Sequence, residues 1–212
     1  MIVKKIKTKI IGKRREHQIG DLVDYIRAPH RRNEDEKILC AGSRNFCSDT
    51  HVGEKYEMIT LARESKHSEM PVTHWVLSWQ EDEHPTRQQV EKVVDIFLKE
   101  MGLEDHQAIF GLHGNTKNMH LHIAVNRMNE LTRTVARVNN GFDIIQAHKA
   151  IAVIENEQGW KPEKNARYKV VDGEVVKQPK QKKLQPSQAA QSFEQHTGQK
   201  SAERIARKRL TP

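Results

Sequence analysis

The segment His113-Gly-Asn-Thr-Lys-Asn-Met-His120-Leu-His122-Ile-Ala-Val-Asn126 holds the strongest concentration of ligand chemistry in the chain. Residues two apart on a strand project from one face, so His120 and His122 stand side by side if this segment is a strand. His113 ends the preceding apolar run, and a turn through the six intervening residues would bring its ring to the pair. Three neutral imidazoles suit a divalent cation and leave positions open for water or a phosphate oxygen. Such an open side is what metal catalysis requires. Asn115, Asn118 and Asn126 add polar groups around the cluster, with Asn115 and Asn126 as candidates to orient the ligands from behind. A plainer reading stands beside this one. The chain has 12 histidines, and a His-x-His pair also occurs as hydrogen-bonded rings facing a core.

The charge distribution suggests what such an ion would act on. Residues 1–160 hold 23 Lys+Arg against 23 Asp+Glu, and residues 161–212 hold 13 against 5, so the tail supplies the whole net charge of +8. A neutral body with a basic extension points to phosphodiesters; the alternative is a solvated tail that confers only solubility. Cleaving a phosphodiester by transesterification needs a nucleophile, and the chain offers Tyr25, Tyr56 and Tyr168. Tyr25 falls on a short amphipathic helix near the N-terminus. A phenol with a pKa near 10 attacks poorly at neutral pH unless a neighbour takes its proton. Without such a neighbour Tyr25 is simply a half-buried helix residue.

The elements that must place these groups are legible in part. Residues 2–11 alternate Ile with Lys, as an edge strand does. Gly20-Asp21 opens a short helix with Asp21 as N-cap and Leu22, Val23 and Ile26 as its apolar face, stopping before Pro29. His30 to Glu36 is a charged loop, and residues 52–65 carry a weak helical pattern. Pro71–Trp79 reads as a strand, with His74, Val76 and Ser78 on one face and Trp75, Leu77 and Trp79 on the other. Thr86 and Gln89 form a capping box ahead of the stripe Val90, Val93, Val94, Phe97, Leu98 and Met101, and Gly102 ends that helix. Strands follow over 107–112 and 119–127. Asp143 and Gln146 cap a second strong helix, with Ile144, Ala147, His148, Ile151 and Ile154 as its buried stripe, that ends at Gly159. Asp172-Gly173 between valine pairs signals a two-residue hairpin. A basic helix is expected near 201–209. The order predicts an α+β fold, a central antiparallel sheet with helices packed on it.

A hydrophobic content of 36% suits a soluble protein, and no apolar run of about eighteen residues predicts a membrane-crossing helix. Cys40 and Cys47 are the only cysteines. Their spacing fits neither a thiolate metal site nor a disulfide scaffold, and both read as thiols of a reducing, cytoplasmic protein.

Three segments in this order, Leu22-Val-Asp-Tyr25-Ile26, Thr73-His-Trp-Val-Leu-Ser78-Trp79 and His113-x-Asn115-Thr-x-Asn118-x-His120-x-His122-x-x-x-Asn126, resemble the MobP-type plasmid mobilisation relaxases. These belong to the HUH endonuclease class, and the resemblance covers roughly residues 1–165. It implies a central antiparallel sheet of about five strands and site- and strand-specific nicking of DNA at an origin of transfer. By position, Tyr25 matches the nucleophile that becomes joined to the 5′ phosphate. His113, His120 and His122 match the ligands of a divalent ion, with Mg²⁺ or Mn²⁺ expected and Zn²⁺ or Ni²⁺ open to capture during isolation. Ser78 matches a serine that helps place DNA. The family usually carries aspartate where this chain has Asn115, which weakens His113 as a strong base and makes His74 a candidate substitute. The resemblance also implies as partners single- and double-stranded origin DNA, a relaxosome accessory protein and the coupling protein of a type IV secretion system, with passage into a recipient cell on the DNA. The domain reading is therefore a catalytic domain over 1–165 and a basic, DNA-contacting or partly disordered extension with a hairpin over 166–212. The abrupt basic end suggests a fragment of a longer protein.

Two other functions fit parts of the pattern. A rolling-circle replication initiator shares the His-x-His site, but its tyrosine usually follows the histidines, where only Tyr168 remains. A non-catalytic DNA-binding protein would carry the histidines as structural residues.

Overall fold

The computed structural model describes residues 1–7, 14–27, 38–66, 68–114, 116–179, 187–202 and 204–205. The charged loop His30–Glu36, the continuation of the first strand to Ile11, Asn115 and most of the basic helix expected near 201–209 lie outside them. The chain forms two compact units, Met1–Gln178 and Pro179–Pro212.

In the first unit, β1 (Ile2–Ile6), β2 (Ile38–Arg44), β3 (Val72–Ser78), β4 (Ala108–His113) and β5 (His120–Asn126) form one sheet in the order β1-β3-β5-β4-β2. Every neighbouring pair is antiparallel. The helices are α1 (Arg15–Arg27), α2 (His51–Arg63), α3 (Arg87–Glu100) and α4 (Asp143–Gln158). The pleat sorts side chains between two faces. Trp75, Leu77, Phe110, Leu112, Leu121, Ile123 and Val125 point to one face and bury against Val90, Val94 and Phe97 of α3 and Ala147, Ile151 and Ile154 of α4. Val72, Ile109 and Ala124 point to the other, under Ile19, Val23 and Ile26 of α1 and Met58 and Ala62 of α2. The result is the α+β architecture expected, with helices on both sides of an antiparallel sheet.

The Thr86 capping box forms, with reciprocal bonds to and from Gln89. Asp172 (φ 51°) and Gly173 (φ 83°) make the tight turn between β6 (Tyr168–Val171) and β7 (Glu174–Lys177). Both left-handed residues are what a two-residue hairpin of matching twist needs. This hairpin belongs to the first unit and meets α4, where the Lys149 ammonium lies 5.9 Å from the Tyr168 ring centre.

Four local readings are corrected. Helix α1 begins at Arg15, so Asp21 is an exposed mid-helix residue and not an N-cap. A single interior glycine costs only about 1 kcal/mol; burying Ile19 in register with Val23 and Ile26 outweighs Gly20. Strand β2 was not visible because Ile-Leu-Cys-Ala-Gly-Ser-Arg lacks alternation; its Gly42 instead leaves room for the Phe110 ring, 2.5 Å from where a Cβ would sit. The N-cap of α4 is Phe142, without a side-chain bond. Asp143 pairs with Lys5 and Gln146 donates to the Glu100 carbonyl at 2.7 Å. In the second unit a helix, α5 (Gln188–Thr197), capped by Ser187, occupies a stretch where no helix was expected from the sequence. Among the described residues no helix is long and apolar enough to cross a membrane.

Candidate active site

Strands β3, β4 and β5 bring their chemistry to one end of the sheet face that α1 and α2 cover. His113 pairs with His120 across β4–β5, Gly111 with His122, and Ser78 with His120 across β3–β5. Alternation therefore puts His113, His120, His122, His74 and Ser78 on one face. His113 and His122 are buried and His120 half-buried. One ligand atom from each of His113, His120 and His122 lies within 4.8 Å of the other two. A small turn of the rings brings such a set within reach of one ion at about 2.1 Å per nitrogen.

The hydrogen bonds behind the rings decide which nitrogens face inward. His113 Nε2 lies 3.2 Å from the Ile26 carbonyl, which can only accept, so that nitrogen carries the proton and Nδ1 is left as the ligand. His120 Nδ1 donates to the Asn118 carbonyl at 3.2 Å, which leaves Nε2. Asn118 is itself held by its side-chain bond to the Trp79 carbonyl at 2.9 Å. His122 Nδ1 meets His74 Nε2 at 2.9 Å, and His122 Nε2 is buried with no hydrogen-bond partner among the described residues. Outward donors and an inward lone atom are the chemistry of a metal site, and the donor set fits a divalent ion.

Burial, reinforced by His113, pushes His74 from 6.5 down to about 4. Burial and then His113, His74 and His120 push His122 down to about 2. Both rings are neutral at neutral pH, as ligation demands. Unfolding releases each to its ordinary pKa, so the unfolded chain binds more protons wherever the pH is below about 6.5. The stability these rings contribute is complete above that value and falls as the pH drops toward about 4 for His74 and about 2 for His122. Metal-free protein is expected to lose up to about 2 kcal/mol per ring between pH 6.5 and 5. Urea unfolding in chelator at the two pH values reads this; equal stability would show the rings to be charged and hydrated in the fold.

Tyr25 arrives from α1. Its ring meets His122 edge-on at 5.1 Å between centres and His113 at 5.5 Å. Polar ties on either side fix that turn of helix. Asp24 takes His51 at 2.8 Å and Lys55 at 2.9 and 3.0 Å, and Arg27 pairs with Glu54, which also bonds Ser43. The Ile26 carbonyl is among the last four of α1, which have no partner within the helix, and the His113 N–H satisfies it. Gly111 permits this approach, since a Cβ there would stand 2.3 Å from the Ile26 oxygen. Sequence reasoning passed over Gly111, although a glycine inside an apolar strand is itself a sign of close backbone contact. Of the other tyrosines, Tyr56 is exposed on α2 and Tyr168 lies in the hairpin.

Asn126 is not brought to the cluster. It sits at the far end of β5, donating to the Met58 carbonyl and Gln107 at 3.3 Å and accepting from the Met128 N–H at 3.1 Å. At a strand's rise this is about 13 Å beyond His122, so its role is to satisfy buried backbone. Cys40 and Cys47 are free thiols.

A five-stranded antiparallel sheet with a His-x-His pair on its central strand and a third histidine beside it is consistent with a relaxase nuclease domain. The model of the relaxase family described as MobA/VirD2-like, nuclease domain, matches residues 25–160, and the chain belongs to this family. It is 52% identical over 152 residues to Protein MobA of Acidithiobacillus ferrooxidans, covering 70% of this chain and 37% of that protein. It is 24% identical over 136 residues to Protein TraI of Escherichia coli, covering 64% of this chain and 18% of TraI. The chain thus matches well under half the length of either relative.

Proposed function

We propose that this domain nicks one DNA strand at an origin of transfer by tyrosine transesterification, with a divalent ion held by His113 Nδ1, His120 Nε2 and His122 Nε2. The observation that carries this reading is the placement of the Tyr25 ring against two of the three candidate ligands, His113 and His122. A bound ion would supply positive charge at a non-bridging oxygen of the scissile phosphate.

The protein's own groups supply the rest. Tyr25 gives up its phenolic proton and its oxygen bonds to phosphorus in line with the 3′ oxygen. The P–O3′ bond breaks and the 3′ oxygen takes a proton, leaving a 5′-phosphotyrosyl link. One phosphoester replaces another, so the step can run backward and rejoin the strand. Ser78, directly across from His120, is suited to hold DNA beside the cluster. His74 Nε2 is already engaged with His122, which argues against its serving as the base for Tyr25. The basic extension would grip origin DNA, and an accessory protein and a secretion coupling protein would be the partners of the longer assembly.

Supercoiled plasmid carrying the cognate origin tests the proposal. Purified protein with Mg²⁺ or Mn²⁺ is expected to yield one nick whose 5′ end carries a peptide containing Tyr25, and chelator is expected to abolish it. A free 5′ phosphate, or nicking that persists in chelator, would overturn the mechanism.

A further inference from the structure

His74 and His122 are the one described pair of imidazoles joined by a hydrogen bond, and the bond says more than contact. His74 stands opposite Ala124 and His122 opposite Val76, so the two are diagonal neighbours on adjacent strands of the same face. Both are buried, at 8% and 5% exposure. Their rings lie 5.1 Å apart between centres and are tilted by 33°, with His74 Nε2 2.9 Å from His122 Nδ1.

A neutral imidazole has one N–H and one lone pair, so only one of the two rings donates in this contact. If His74 donates, the proton of His122 sits on Nε2 and that atom cannot ligate. If His122 donates, its Nε2 lone pair is exposed to the cluster, where it has no other described hydrogen-bond partner. Only the second arrangement agrees with the inward atoms of His113 and His120.

We infer that His74 is a positioning residue of the metal centre: its Nε2 accepts the Nδ1–H of His122 and holds that ring as an Nε2 ligand. This rests on the three-histidine metal reading. The partner behind a ligating histidine is most often a carboxylate, a carbonyl or water. A neutral histidine in that place fixes the tautomer without adding negative charge to the centre. His74 must then carry its own proton on Nδ1.

The test uses the whole chain and Mn²⁺, Co²⁺ and Zn²⁺ as probes. Wild type is expected to bind one Mn²⁺ by calorimetry; no binding would overturn the metal reading and this inference with it. His74→Leu removes the acceptor and is expected to weaken Mn²⁺ binding about 10- to 100-fold and to shift the Co²⁺ absorption bands. His74→Gln, whose Oε1 can replace Nε2 as acceptor, is expected to recover most of the affinity. Wild-type affinity and an unchanged Co²⁺ spectrum in a folded His74→Leu would overturn the inference while leaving the metal site standing. A measurement on unmutated protein decides the same point if the leucine variant does not fold. In the Zn²⁺-loaded form, ¹⁵N–¹H imidazole spectra are expected to show His122 protonated at Nδ1 and His74 at Nδ1. A proton on His74 Nε2 would overturn the assignment.

Discussion

Tyr25→Phe is expected to abolish the covalent protein–DNA adduct, with a fall in nicking of at least about a thousandfold. The substitution deletes one oxygen and keeps the ring that packs against His113 and His122. Mn²⁺ affinity and binding of single-stranded origin DNA are therefore expected to stay near wild type. That combination separates loss of the nucleophile from loss of the site. Denaturing gels with an origin oligonucleotide read the adduct, and calorimetry reads the metal. An adduct that persists at wild-type yield would move the nucleophile elsewhere, with Tyr56 and Tyr168 the remaining phenols.

Gly111→Ala is the second large effect, and it touches no reacting atom. The new methyl would meet the Ile26 carbonyl oxygen at 2.3 Å and Ile26 Cγ2 at 3.2 Å, far inside contact distance. Backbone oxygen cannot swing aside as a side chain can, so the last turn of α1 must lift from the sheet. Lifting breaks the 3.2 Å bond from His113 Nε2 and carries Tyr25 away with Ile26. Overpacking of this kind costs about 1–3 kcal/mol, and a displacement of about 1 Å at a reacting group costs about a hundredfold in rate. The expected variant is folded, melts lower and forms adduct about a hundredfold more slowly. His120 and His122 sit on strands whose pairing is untouched, so Mn²⁺ binding should suffer less than adduct formation. If Gly111→Ala reacts as fast as wild type, the docking of α1 on β4 does not set the position of Tyr25.

These two predictions differ in how visible their residues are along the chain. The spacing of His120 and His122 needs only the two-residue period of a strand to place both rings on one face. The Thr86 capping box and the Asp172-Gly173 turn are equally local, since each is satisfied by backbone within three residues. Reading Asp21 as the start of α1 failed because the burial of Ile19, supplied by other elements, outweighed a local glycine signal. Asn126 looked like a companion of the histidines because it is near them in sequence, but a strand carries every residue away from its neighbours at a fixed rise.

The three-histidine cluster was thus determined by the sequence as far as residue types and a shared face: His120 and His122 by periodicity, His113 by a return across a short turn. Which nitrogen each ring turns inward was decided only by tertiary structure, through the Ile26 and Asn118 carbonyls and His74. The meeting of Tyr25 with the cluster was decided there too. It joins residues 88 and 97 positions apart, from Tyr25 to His113 and to His122. Local preferences act over a few residues, whereas that contact depends on how closely a helix can approach a strand. Here the missing side chain of Gly111 sets that distance.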